Sequence, residues 1–159
     1  MERIVRHTGT VSEPSLEMKS SQIRWRESVQ SSLEVTVVFT DMQGTLSALK
    51  TAALLARGLN ARVRLIVPQV VSYEVPLNEP PVPTGFMEQQ IGHLVSDLNV
   101  ETQVNIYLCR NKKESLLRTL KPHSVTVVGS RRRWWPTWET RLARQLRRGG
   151  HEVILTETE

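Results

Sequence analysis

The chain has one cysteine, Cys109, so it can close no internal disulfide and build no multi-cysteine zinc site. That usage agrees with a reducing compartment, and the expected location is the cytoplasm. No apolar run approaches the roughly 20 residues that span a bilayer, and the opening Met-Glu-Arg-Ile-Val-Arg-His has no signal-peptide core, so no membrane partner is expected. His7, His93, His123 and His151 are scattered without metal-ligand spacing, which leaves no metal site to expect. No Walker loop, nucleophile elbow, Ser-His-Asp order or pair of catalytic carboxylates stands out, and no catalytic residue is nominated. Glycine is missing between Gly129 and Gly149, where a glycine-rich phosphate loop would need it.

What is present is ordinary for a folded domain. With 39% hydrophobic and 23% charged residues over 159 positions, the chain can bury one core and is not of disordered composition. The net charge of +5 is local: Arg131–Arg148 holds seven arginines against one glutamate, Glu139. Residues 1–33 are mostly polar with scattered apolar side chains and read as a tail, flexible or partly helical through Ile23, Trp25 and Val29. The domain is expected over residues 34–159.

Strand and helix signals then alternate. Val35–Thr40 is a buried-strand run, followed by the turn Asp41-Met42-Gln43-Gly44-Thr45 and by Leu46, Leu49, Ala52, Ala53 and Ala56 at helical spacing, with Gly58 and Asn60 as the stop. Arg62–Val67 predicts a second strand ended by Pro68. Five prolines over 68–84 predict an extended loop, either a surface connection or a lid. Met87, Ile91, Leu94, Val95 and Leu98 predict a helix, and Thr102–Cys109 alternates on a strand period. Asn111 with Glu114 resembles a capping box opening a short helix, which Pro122 closes. A fourth strand at Val125–Val128, a helix over about 137–148 capped by Gly149-Gly150, and a strand at Glu152–Thr156 complete five strands and four helices. This order is that of an α/β domain with a parallel sheet.

Val125–Val128 is entirely β-branched and reads as the central strand. Ligands of open parallel sheets gather beyond the carboxyl ends of the strands, so Gly129, Ser130 and the residues after them occupy a site position. Arg131, Arg132 and Arg133 stand there with Trp134 and Trp135. The arginines admit three readings: a solvated helix face, an anion site made by Arg131, Arg132 and Arg133 with forked donors, or a nucleic-acid surface in which arginines alternate with Trp134, Trp135 and Trp138 across 131–148. On the last helix Trp138, Leu142 and Leu146 share one face and Arg141, Arg144 and Arg148 another. Trp138 is expected to pack on the sheet, and Cys109 to be a small buried apolar side chain.

Val37-Val38-Phe39-Thr40-Asp41 with the small-residue turn and Ala48, Leu49 and Ala52 resembles the opening of the universal stress protein family. Val127-Val128-Gly129-Ser130 and Gly150-His151-Glu152-Val153-Ile154-Leu155 are similar to that family's fourth strand and closing strand. The resemblance covers roughly 33–156. It implies a three-layer αβα sandwich around a five-stranded parallel sheet of order 3-2-1-4-5, the universal-stress-protein or HUP-like fold. It also implies a stress-response role, a homodimer through the C-terminal strand and, in one branch, ATP across the strand ends. Asp41, Val67, Gly129 and Ser130 match that branch's nucleotide positions. Its loop has the form Gly-x2-Gly-x9-Gly-Ser/Thr, of which only Gly129 has a counterpart, and Arg131–Trp135 stands in the loop's place. The expectation is therefore a non-catalytic regulatory domain, without a cofactor, that binds a protein partner or small anion at the strand ends. ATP binding on a modified phosphate site and nucleic-acid association are the alternatives.

Overall fold

In the computed structural model the β-branched runs form the inner strands of one sheet, and the described residues are 4–7, 33–131 and 137–158. The strands are β1 (Ile4–His7), β2 (Glu34–Val38), β3 (Arg62–Val70), β4 (Thr102–Cys109), β5 (Val125–Arg131) and β6 (Glu152–Thr158). The helices are α1 (Met42–Leu59), α2 (Thr84–Ser96), α3 (Lys112–Thr119) and α4 (Trp138–Arg148). The sheet order is β1-β4-β3-β2-β5-β6. β2 to β6 are parallel and carry the order 3-2-1-4-5. The sixth strand, β1, lies within the expected tail and pairs antiparallel with β4, from Ile4 opposite Tyr107 to His7 opposite Val104.

The pleat sorts the side chains into two cores, because successive residues of a strand point to opposite faces. Val35, Val37, Val63, Leu65, Val67, Ile106 and Val127 meet Ala48, Leu49, Ala52 and Ala56 of α1 and Ile91 of α2 on one face. Val38, Ile66, Tyr107, Val128 and Val153 meet Leu116 of α3 and Leu142, Ala143 and Leu146 of α4 on the other. Small alanines on the inner stripe let α1 lie close to the sheet. Asn60 ends that helix in the left-handed conformation, φ 50°, which asparagine tolerates at a C-cap.

Two strands run further than their sequence suggests. Pro68 does not end β3, which continues to Val70 with Pro68 opposite Tyr107. Phe39 donates its N–H to the Ile66 carbonyl, so position 66, and two residues on position 68, face the β2 side. β2 has ended by then, and the N–H that proline lacks has no ladder partner to lose. Likewise Gly129 and Ser130 are not turn residues: β5 runs on to Arg131, paired with Thr158 of β6.

The order reverses between β2 and β5, the only adjacent parallel strands among those described whose chain continuations leave in opposite directions across the sheet. Such a switch point opens a crevice at the carboxyl ends, and here those ends are Asp41 and Arg131.

Candidate functional site

Asp41 follows β2 and caps α1. Its Oδ1 accepts the N–H of Gly44 at 2.9 Å, satisfying one of the free donors of the helix's first turn. Its other oxygen, Oδ2, lies 3.2 Å from Arg131 Nε at the end of β5. Thr40 and Thr45 complete this corner, the Thr40 N–H donating to Thr45 Oγ1 at 3.1 Å. The buried Thr40 Oγ1 has no hydrogen-bond partner among the described residues.

Gly129 has a structural duty at this point. A Cβ built on it would lie 1.9 Å from the Gly44 carbonyl oxygen and 2.8 Å from Gly44 Cα, while a Cβ on Gly44 would meet Thr40 Oγ1 at 2.7 Å. The two glycines let the first turn of α1 touch the β5 backbone. The space a glycine leaves for a phosphate is filled by protein. Ser130, pointing to the opposite face, is buried, and its hydroxyl shares hydrogen bonds with Thr137 Oγ1 at 3.3 Å and the Arg131 carbonyl at 3.4 Å. Val67 is fully buried in the α1–α2 core. Arg132 and Arg133, with Trp134 and Trp135, lie outside the described residues.

Of the residues nominated from sequence, then, the structure brings together Asp41, Gly129 and Arg131, and assigns Gly129, Ser130 and Val67 to packing. The crevice itself is a cleft of about 440 Å3 lined by Asp41, Arg131, Thr137, Trp138 and Glu139. α4 supplies the last three through its N-cap: Thr137 Oγ1 accepts the Thr140 N–H at 3.4 Å, and Glu139 occupies the first turn. A carboxylate is favoured at the positive end of a helix, the same place a phosphate would take.

Trp138 does not pack on the sheet with Leu142 and Leu146. It is 38% exposed, and one face of its indole covers Lys112, whose Nζ lies 3.7 Å from the ring centroid. Lys112 is the first residue of α3, behind the Asn111 cap whose Oδ1 accepts the Lys113 and Glu114 N–H groups. Burial pushes the Lys112 amine below the ordinary lysine range, against the opposing pull of Glu139 and of Cys109. Lys112 was not nominated from sequence. Its position was nevertheless readable: it lies just past the carboxyl end of a parallel strand, β4.

The other sequence candidates are accounted for locally. Cys109 is buried, with Sγ 3.7 Å from the Gln69 carbonyl. His123 and His151 bond the Gly150 carbonyl and the Ser124 hydroxyl. The proline-rich segment is strapped down by Arg110, whose guanidinium donates to the carbonyls of Val71, Ser72 and Val75 and sits 5.3 Å from the Tyr73 ring centroid. Arg141, Arg144 and Arg148 are all exposed on α4. Among the described residues no cluster of histidine, cysteine and acidic side chains could hold a metal, and no helix is long and apolar enough to cross a membrane.

No family model matches the chain, and no curated protein matches it in sequence. Its fold is similar to that of the universal stress protein from Archaeoglobus fulgidus, solved in complex with dAMP. The TM-score is 0.54 at 12% identity, covering 78% of this chain and 96% of that one. The likeness is one of fold: a universal-stress-protein-like α/β domain.

Proposed function

We propose that this chain is a non-catalytic regulatory domain that binds a small aromatic anion, of the nucleoside monophosphate class, in the cleft at the β2–β5 switch point. The observation that carries this reading is the Asp41–Arg131 pair standing half open beside the exposed indole of Trp138. An indole offers a stacking surface for a base. A guanidinium offers forked donors to a phosphate, and a carboxylate accepts from ribose hydroxyls. The cleft falls within the range of small-molecule sites. The similar fold solved with dAMP supports the ligand class. Against a triphosphate stand the Gly129–Gly44 contact and Glu139 at the α4 N-terminus, which take the main-chain cradle and the helix end that γ- and β-phosphates would need.

Thermal denaturation with AMP, dAMP, ATP and inorganic phosphate tests it. A ligand at about 100 times its Kd stabilises by about 2.7 kcal/mol, or roughly 5–10 °C for a chain of this size. AMP or dAMP is expected to give that rise and ATP a smaller one. An ATP rise as large as that of AMP, or no rise with either monophosphate, contradicts the reading.

A second reading rests on a separate observation, the exposed row Arg141, Arg144 and Arg148, none of which pairs with a described carboxylate. It makes α4 a surface for nucleic acid. Binding of a short oligonucleotide must then weaken steeply with salt, and a salt-insensitive signal contradicts it. A homodimer through β6, which closes the sheet order at its open end, belongs to the same proposal and is tested by light scattering.

A further inference from the structure

The indole of Trp138 is set between a cation and the cleft. We propose that Lys112 is a positioning residue: its ammonium holds the Trp138 ring as a fixed wall whose free face receives the base of the ligand. The inference rests on the reading that the cleft takes a nucleoside monophosphate, and its test separates the two.

The two side chains come from different helices. Lys112 opens α3 behind the Asn111 cap, and Trp138 opens α4 behind the Thr137 cap. α3 follows β4 and α4 follows β5, so both residues stand past the carboxyl ends of parallel strands. Lys112 Nζ lies 3.7 Å from the Trp138 ring centroid, which seats the ammonium on one face of the ring. Trp138 lines the cleft and Lys112 does not. The indole therefore stands between the ammonium and the ligand space.

Something must hold the ring there. It is 38% exposed and belongs to neither core, so packing alone leaves it several rotamers. A cation over an indole face is attracted by the ring quadrupole, more strongly as water is excluded, and Lys112 is partly buried. Lys112 forms no ion pair with a described carboxylate, although Glu139, beside Trp138 on α4, also favours its charge. A ring fixed before the ligand arrives spares the cost of ordering it on binding. The ammonium takes one face, and stacking needs only the other.

Titration calorimetry on the full-length protein compares AMP with ribose 5-phosphate, which keeps the sugar and phosphate and lacks the base. Lys112→Ala is expected to weaken AMP about fivefold or more and to leave ribose 5-phosphate within about twofold, because Arg131 is untouched. Lys112→Arg keeps a cation that lies flat on an indole, and is expected to restore AMP to within about twofold of the parent. Trp138→Ala weakens AMP about tenfold or more, and adding Lys112→Ala to it should cost nothing further. Unchanged AMP affinity in Lys112→Ala overturns the proposal. So does equal weakening of both ligands, which would make Lys112 a bare charge acting on the phosphate, or an effect of Lys112→Ala that survives the loss of Trp138. Failure of AMP to bind the parent protein overturns the nucleotide reading together with this one.

Discussion

Each end of the sheet holds an arginine paired with a carboxylate, and the two pairs are built to different standards. At the amino-terminal end Arg64 is tied on three sides: Nε donates to Asn105 Oδ1 at 3.1 Å, Nη2 to the Tyr107 hydroxyl at 2.7 Å, and Nη1 meets Glu34 at 3.4 Å, with Lys121 on the other Glu34 oxygen at 3.1 Å. Only 16% of its side chain is exposed. At the carboxyl-terminal end Arg131 has one described partner, Asp41, and 46% of its side chain faces solvent. The first arginine satisfies polar groups on the two strands that flank its own, β2 and β4. The second keeps most of its donors free beside a cleft. The first is saturated, as a residue that ties strands together should be, and the second is left incomplete, as the proposed ligand site requires.

The comparison can be broken most violently between the two ends of the second pair, at the glycine contact beneath it. Gly129→Ala drives a methyl group into the Gly44 carbonyl, a backbone atom that cannot rotate away. The expected loss is about 3 kcal/mol or more, read as a lower urea midpoint. A loss under about 1 kcal/mol would mean that the first turn of α1 yields, and that the space could accept a phosphate after all. Next in size is Arg64→Ala, which strips Asn105, Tyr107 and Glu34 of a shared partner at once. About 2 kcal/mol is expected, since the pair is mostly rather than wholly buried.

Smaller still is Lys112→Met. Because the folded amine titrates below the unfolded one, the unfolded chain binds more protons between the two values and stability rises with pH through that window. The lysine is therefore costly below the window and neutral above it. The variant is expected to melt higher than the parent at neutral pH, with the gain shrinking as pH climbs toward the ordinary lysine value. A gain that does not change with pH would contradict the desolvated amine.

How much of this was legible beforehand differs between fold and site, for physical reasons. The fold rests on repeated local signals. Four consecutive β-branched residues at Val125–Val128 and alanines on one stripe of α1 each favour one local structure, so the elements and their parallel α/β class followed from alternation, while the strand order and layers followed from the family resemblance. Pro68 misled because the rule that proline ends a strand assumes a neighbour on both sides, and β3 has lost one there. β1 was not readable, because four residues near a polar segment gain a strand only through β4, about a hundred positions away. At the site, Gly129 looked like the remnant of a phosphate loop, but a glycine required by a helix touching a strand has the same letter. Trp138 was placed in the core by its spacing with Leu142 and Leu146; the N-terminal turn of α4 stands at the cleft by the carboxyl ends of the strands, and an indole there finds Lys112 instead. Lys112 was readable only by its place after β4, since its surroundings are set by a residue twenty-six positions on.

The distinction between the two arginines is tested most directly by making Arg131→Ala and following thermal unfolding with and without AMP, beside Arg64→Ala. The account expects the ligand-free melting temperature of the Arg131 variant to stay within about 2 °C of the parent, because a half-exposed ion pair contributes about 0.5 kcal/mol. It expects the AMP-dependent rise to disappear. The Arg64 variant should do the reverse, melting about 4–8 °C lower while keeping the AMP rise. An Arg131 variant that melts as low as the Arg64 variant, or that keeps the full AMP rise, would contradict the claim that the carboxyl-terminal arginine is there for a ligand.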